Sequence, residues 1–252
     1  MRLTIAALSG LITNLILTPL AAADADIDAP EDDGAIEAAA TLGATVNQGN
    51  TDSELYNASL EYLQRSNQHR VSFDATANRG ESAGVEDVNN TLAAAGYDLF
   101  LHGPWYANSR VAWQQDRLSD LYSRYSIGAG AGYQFFDDEI TRLSVELGPS
   151  YIYEESLQAR ASTEEAAVRW SLDFRRYIGD GAMRLFHNHE VVVMTDDSEN
   201  WYAITRSGLR LPLRENLSAS LQFNYDYDNQ PPPAAAKSYD STTLFALTYD
   251  WQ

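Results

Sequence analysis

Chemistry in this 252-residue chain could start from its four histidines. His187 and His189 stand two apart, so on a strand they share one face, and such a pair can chelate a metal. The parity of their segment puts that face outward with Val191 and Val193, against Arg184, Asn188 and Glu190 inward, which favours interfacial or register-shifted residues over ligation. His69 lies beside a turn and His102 within one, and neither has a Ser or acidic partner at a spacing that suggests a nucleophile and its base. Neither a nucleophile elbow nor a zinc-protease helix motif is expected. Asp196, Asp197 and Glu199 offer oxygen ligands for Ca²⁺ but read more simply as a solvated acidic loop. No catalytic residue, cofactor or metal site is expected.

The denser collection of reactive groups is a set of charges repeated along one face of the chain. Arg70, Arg110, Arg124, Arg142, Arg169, Arg175, Arg184, Arg206 and Arg210 share that face with Glu61, Asp74, Asp98, Glu146, Asp173, Glu190, Asp226 and Asp250. Arginine forks and carboxylates lining one bore have two uses. They can set the field of a selective pore, or they can cross-link the wall and fill the space. The near balance of signs favours the second.

The elements that carry these residues are strands. From Ile36 to Trp251 no stretch keeps a helical period, and alternation dominates. In 217–228 the series Leu217, Ala219, Leu221, Phe223, Tyr225 and Tyr227 opposes Ser218, Ser220, Gln222, Asn224, Asp226 and Asp228. In 125–135, Tyr125, Ile127, Ala129, Ala131, Tyr133 and Phe135 oppose Ser126, Gly128, Gly130, Gly132 and Gln134. The glycines remove side chains from one stripe of the wall, either widening the bore or making room for arginines opposite.

Twelve such segments are predicted, at 36–48, 54–65, 69–80, 88–101, 105–116, 121–136, 141–154, 164–178, 182–195, 200–213, 216–229 and 238–251. Most reach the roughly 9–11 residues that a tilted strand needs to cross a bilayer. Short connections alternate with longer, more acidic ones at 80–87, 116–121, 154–164, 195–200 and 228–238, and the strand count is even. Both are marks of an outer-membrane barrel. A soluble sandwich or lipid-binding barrel would need an apolar interior. Here the polar face carries Arg, Asp, Glu and Gln, while the apolar face ends in aromatics such as Trp105, Trp113, Tyr151, Tyr153, Tyr249 and Trp251. The predicted fold is therefore an all-β antiparallel transmembrane barrel of about 12 strands, a closed meander.

Composition agrees. Mean hydropathy of −0.36 excludes a helical membrane protein. The absence of cysteine excludes a disulfide scaffold or thiolate metal site, and a net charge of −19 with a single lysine, Lys237, excludes a phosphate-tracking nucleic-acid binder. Residues 1–23 read as a signal peptide, with Arg2, an apolar run and Ala21-Ala22-Ala23 as the cleavage site. Residues 24–35 read as an acidic flexible tail, and 36–252 as the barrel. Phe245, Leu247, Tyr249 and Trp251 read as the terminal signal for the barrel-assembly machinery, although Gln252 follows the last aromatic.

Several strings give the chain a family likeness. They are Gly43-Ala44-Thr45-Val46-Asn47-Gln48-Gly49-Asn50-Thr51-Asp52, Tyr97-Asp98-Leu99-Phe100 with Trp105-Tyr106, and Asp116-Arg117-Leu118-Ser119-Asp120-Leu121 ahead of Arg124 and Gly128-Ala129-Gly130-Ala131-Gly132-Tyr133. Over about 40–251 the chain resembles the salt-induced outer-membrane protein family of Gram-negative bacteria, a family without assigned function. The resemblance implies an outer-membrane barrel and carries over no reaction and no site residue. The expected setting is the outer membrane, with its lipid, lipopolysaccharide and assembly machinery as partners and no nucleic acid. The expected role is a narrow pore or envelope-integrity protein of unknown substrate. The alternatives are a lipid A- or phospholipid-modifying enzyme and a non-conducting structural or surface-binding barrel.

Overall fold

The computed structural model describes residues 33–47, 52–66, 68–118, 121–157, 162–231 and 237–251. The expected signal peptide and most of the acidic tail lie outside them. The described residues form β1 (Asp33–Asn47), β2 (Ser53–Ser66), β3 (His69–Ser82), β4 (Val85–His102), β5 (Trp105–Asp116), β6 (Leu121–Asp137), β7 (Thr141–Ser156), β8 (Ser162–Ile178), β9 (Met183–Met194), β10 (Trp201–Arg214), β11 (Leu217–Asp228) and β12 (Tyr239–Trp251). Each strand pairs antiparallel with its sequence neighbours, and β1 pairs with β12, so the sheet closes into a twelve-strand barrel. Closure leaves no open sheet edge.

Alternation turns the two faces as the sequence implies. Leu42, Leu60, Ile127, Leu147, Phe245 and Leu247 stand exposed on the outside. Aromatic clusters gather toward both rims. Trp105, Tyr133 and Phe135 meet edge-on at the short-turn end, while Tyr125 packs on Tyr153 and Trp201 on Tyr227 at the other.

Three expectations need correction. β1 starts at Asp33, so the segment assigned to the tail already contributes strand at 33–35. The long connection expected at 80–87 is instead a two-residue hairpin turn, with Ala83 at φ 53° and Gly84 at φ 75°. Two successive positive φ values give the tight turn whose twist matches the strands, and it is built here on Ala-Gly rather than Asn-Gly. The glycine stripe makes room for arginine only in part, since Gly128 borders a small cavity with Arg110 and Arg169 while Gly132 faces a tyrosine. A Cβ on Gly132 would lie 2.1 Å from the Tyr106 ring, and one on Gly148 would lie 2.1 Å from the Ala129 carbonyl oxygen. Gly132 therefore seats a tyrosine, and Gly148 lets the backbones of β6 and β7 approach beside Pro149.

Candidate functional site

The inward faces bring the charged residues into layers across the bore. At the short-turn end, Arg70 donates Nε to Asp98 at 2.6 Å and Nη1 to Gln134 at 2.9 Å. Its guanidinium also lies over the rings of Phe100 and Tyr106. Arg65 pairs with Asp137. Arg142 reaches Asp137 at 3.2 Å and Glu37 at 3.2 Å, and Arg175 donates to the other oxygen of Glu37 at 2.6 Å. Glu37 is on β1, and β7, which carries Arg142, is six strands away around the ring. These bonds therefore cross the bore rather than follow the wall.

At mid-height Arg169 holds Glu190 at 2.6 Å and Glu146 at 2.9 Å, and Glu146 also accepts the Tyr106 hydroxyl at 3.1 Å. Arg110 stands 3.8 Å from Asp74 and 4.0 Å from Glu190, too far for a close hydrogen bond. Toward the other end Arg124 donates to Glu154 at 2.7 Å and lies over the Tyr202 ring. Arg206 forks onto both oxygens of Asp226. Back at the short-turn end Arg210 meets Asp250 at 3.2 Å and Glu61 at 3.6 Å. Among the described residues no ion pair involves Arg184 or Asp173. Asn188, with its amide turned to donate, lies 3.0 Å from Asp173.

The bore is not polar throughout. Ile152, Ala167, Val192, Met194 and Tyr202 form a buried cluster that Ile204 joins. A cavity of about 20 Å³ between Arg110, Arg169, Glu190 and Tyr202 has room for roughly one water. Elsewhere side chains remain accessible. The carboxylate side chains of Glu61 and Asp74 are 51% and 44% exposed, and Asp173 and Asn188 are exposed beside them.

Glu37, Arg65, Asp137, Glu154, Tyr106 and Tyr202 belong to this interior, and the charge pattern read from sequence omitted them. The signal was available for Glu37, whose parity opposes Leu42. Asp137 and Glu154 were hidden because they stand where strand was read as giving way to loop.

The remaining candidates form no reactive site. Phe245, Leu247, Tyr249 and Trp251 line the outside of β12, with the Tyr249 and Trp251 rings 4.9 Å apart. His187 and His189 face outward as expected, their rings stacked at 6.0 Å, and bond Ser207 and Thr205 at 2.7 and 2.8 Å. Ser207 with His187 has the distance of a nucleophile and its base. No acid or amide among the described residues holds the other ring nitrogen, as such a base requires. His69 bonds the Tyr97 hydroxyl at 2.7 Å. Among the described residues no cluster of metal-ligating side chains occurs. The Asp197 carboxylate accepts the Gln230 amide at 2.9 Å and the Glu199 backbone N–H at 3.0 Å, and the Gln230 bond chiefly holds it below the usual carboxylate range. Contrary to expectation, a Gly-x-Ser-x-Gly string is present at Gly80-Glu81-Ser82-Ala83-Gly84. It forms the β3–β4 hairpin and not the strand-to-helix turn that an elbow requires.

An apolar exterior, a closed meander and a charge-filled bore define a barrel of the outer-membrane type. Solved structures share the fold. The NanC porin aligns with a TM-score of 0.52 at 9% identity, covering 85% of this chain and 99% of that one. An outer membrane channel from Pseudomonas putida F1 aligns with a TM-score of 0.50 at 13% identity, covering 87% and 96%. The chain belongs to the family described as Protein of unknown function, DUF481, which matches residues 40–251. It is 22% identical over 174 residues to the uncharacterized protein YdiY of Escherichia coli (strain K12), a match covering 67% of this chain and 65% of that protein. The match thus spans slightly less than two thirds of the relative's length.

Proposed function

We propose that the chain is an outer-membrane barrel whose bore is held shut by ion pairs, acting in envelope integrity rather than as an open diffusion pore. The observation that carries this is Glu37, which accepts from Arg142 and Arg175 across the bore. An open pore has its charged rings facing water, whereas these charges are spent on one another. The apolar exterior between two aromatic rims supports placement in the membrane. Export through a signal peptide at 1–23 and recognition of β12 by the assembly machinery complete the reading. The longer connections face the cell exterior and the short turns the periplasm. Conductance of the refolded barrel in a planar bilayer tests it. Wild-type protein is expected to give no stable open level in salt.

A second reading is a narrow pore. The accessible strip at Glu61, Asp74, Asp173 and Asn188 favours it, as does the fold shared with a porin and a channel. Under that reading the same recording shows steady, cation-preferring steps. A lipid-modifying enzyme finds less support, because no nucleophile, base and orienting group come together among the described residues.

A further inference from the structure

We propose that the outward face of β9 and β10 is a self-association surface, on which a second copy of this chain completes the hydrogen bonding of His187, His189, Thr205 and Ser207. The inference rests on the reading that the barrel spans a membrane.

The quartet is polar in the wrong place for a lone barrel. On β10 the outward series runs Trp201, Ala203, Thr205, Ser207, Leu209 and Leu211. At about 3.3 Å per residue and a tilt near 40°, Ser207 lies about 15 Å along the membrane normal from the rim residue Trp201. That depth is near the middle of an apolar band about 25 Å tall. Cross-strand bonds join His187 to Ser207 and His189 to Thr205, each through Nδ1. The outer ring nitrogen of each histidine has no hydrogen-bond partner among the described residues, although the His189 ring meets Trp170 edge-on at 5.7 Å. Hydrocarbon supplies no donor or acceptor, so these nitrogens stay unsatisfied while lipid covers them.

A second copy satisfies them. A neutral imidazole has one N–H and one acceptor nitrogen, and a hydroxyl both donates and accepts, so the patch is complementary to itself. A two-fold axis along the membrane normal brings the quartet of one copy against the quartet of the other at the same depth, the isologous contact of a closed dimer. Small Thr205 and Ser207 let the walls approach, and histidine and hydroxyl side chains bond between membrane segments.

The native chain has no cysteine, so Leu209→Cys and Ala75→Cys each introduce the sole thiol, one beside the quartet and one on the outer face of β3. Each full-length variant is recovered in outer-membrane vesicles and treated with a short thiol–thiol cross-linker. Leu209→Cys is expected to give covalent dimer at least tenfold faster than Ala75→Cys. His187→Leu/His189→Leu/Thr205→Val/Ser207→Ala in the Leu209→Cys background should lose that advantage while keeping the heat-modifiable folded band. If the quadruple variant fails to fold, His187→Leu alone is used, with a severalfold slower reaction expected. Equal rates for Leu209→Cys and Ala75→Cys overturn the proposal, and so does a dimer undiminished in a folded quartet variant. Recovery of folded barrel in the outer-membrane fraction tests the membrane reading separately.

Discussion

Replacing Glu37 by Gln removes one carboxylate that two arginines share from across the bore. Arg175 loses a charged hydrogen bond of 2.6 Å and Arg142 one of 3.2 Å, although Arg142 keeps Asp137 at 3.2 Å. Breaking a fully buried pair costs about 3–5 kcal/mol, and an exposed pair contributes about 0–1 kcal/mol. The Glu37 side chain is 42% exposed and the two arginines 21% and 15%, so the loss falls between these limits, at about 2 kcal/mol. That is roughly a 30-fold change in the folding equilibrium. Urea unfolding in micelles measures the loss, and a planar bilayer measures the bore. The expected result is a lower unfolding midpoint together with conductance steps that wild type lacks, anion-preferring because a carboxylate is lost and the Arg175 guanidinium is released while Arg142 stays on Asp137. Unchanged stability with a silent bilayer would refute the idea that this bridge closes the bore. As an internal contrast, Glu86→Gln removes the charge of the exposed Arg79 pair while leaving an amide oxygen for Asn89, and it should shift the midpoint by less than about 1 kcal/mol.

Gly132→Ala should destabilise by about 1–3 kcal/mol, because the added methyl overlaps the almost fully buried Tyr106 ring; an unchanged urea midpoint would show that the ring moves aside freely. Trp251→Ala should reduce the folded, heat-modifiable protein in the outer membrane and raise its periplasmic degradation, both read by immunoblot, and normal levels would mean that the β12 aromatics are not the assembly signal. A cysteine at Ala83 should react with an impermeant reagent on whole cells, and one at Asp180 only after permeabilisation; the opposite labelling would invert the orientation.

The strands were legible because a barrel wall meets lipid on one side and a polar bore on the other, so a period of two persists for two hundred residues. Parity alone placed Arg70, Arg169 and Glu190 inside and His187 outside. The β3–β4 turn was missed because Ala83-Gly84 carries no Asn or Asp to announce positive φ. Which arginine meets which acid was not legible at all. Arg142 and Glu37 are 105 residues apart, and their meeting depends on the stagger and width of the closed barrel, which no local pattern encodes. The inward apolar cluster around Ile152, Val192 and Met194 was also missed, since a few inward aliphatics are lost among the many outward ones.

The joint between β1 and β12 is the shortest ladder in the ring. It runs from Ala38↔Trp251 to Gly43↔Ala246, while the β1–β2 ladder runs from Asp33 to Asn47. Inside it the Thr41 and Thr248 hydroxyls meet at 2.8 Å across 207 residues of sequence. Every other pairing in the barrel joins sequence neighbours and can form locally as a hairpin, early and quickly. Only this joint has to wait for the whole chain. Until it forms, a nearly complete curved sheet presents two ladders of unpaired backbone, the kind of edge that recruits foreign strands. Because the final pairing is short, few bonds separate the closed ring from that open sheet. A factor that holds β12 until β1 arrives would guard the one stage at which this chain is exposed to aggregation, and a lesion in Ala38–Gly43 should act on yield rather than on the finished barrel's properties.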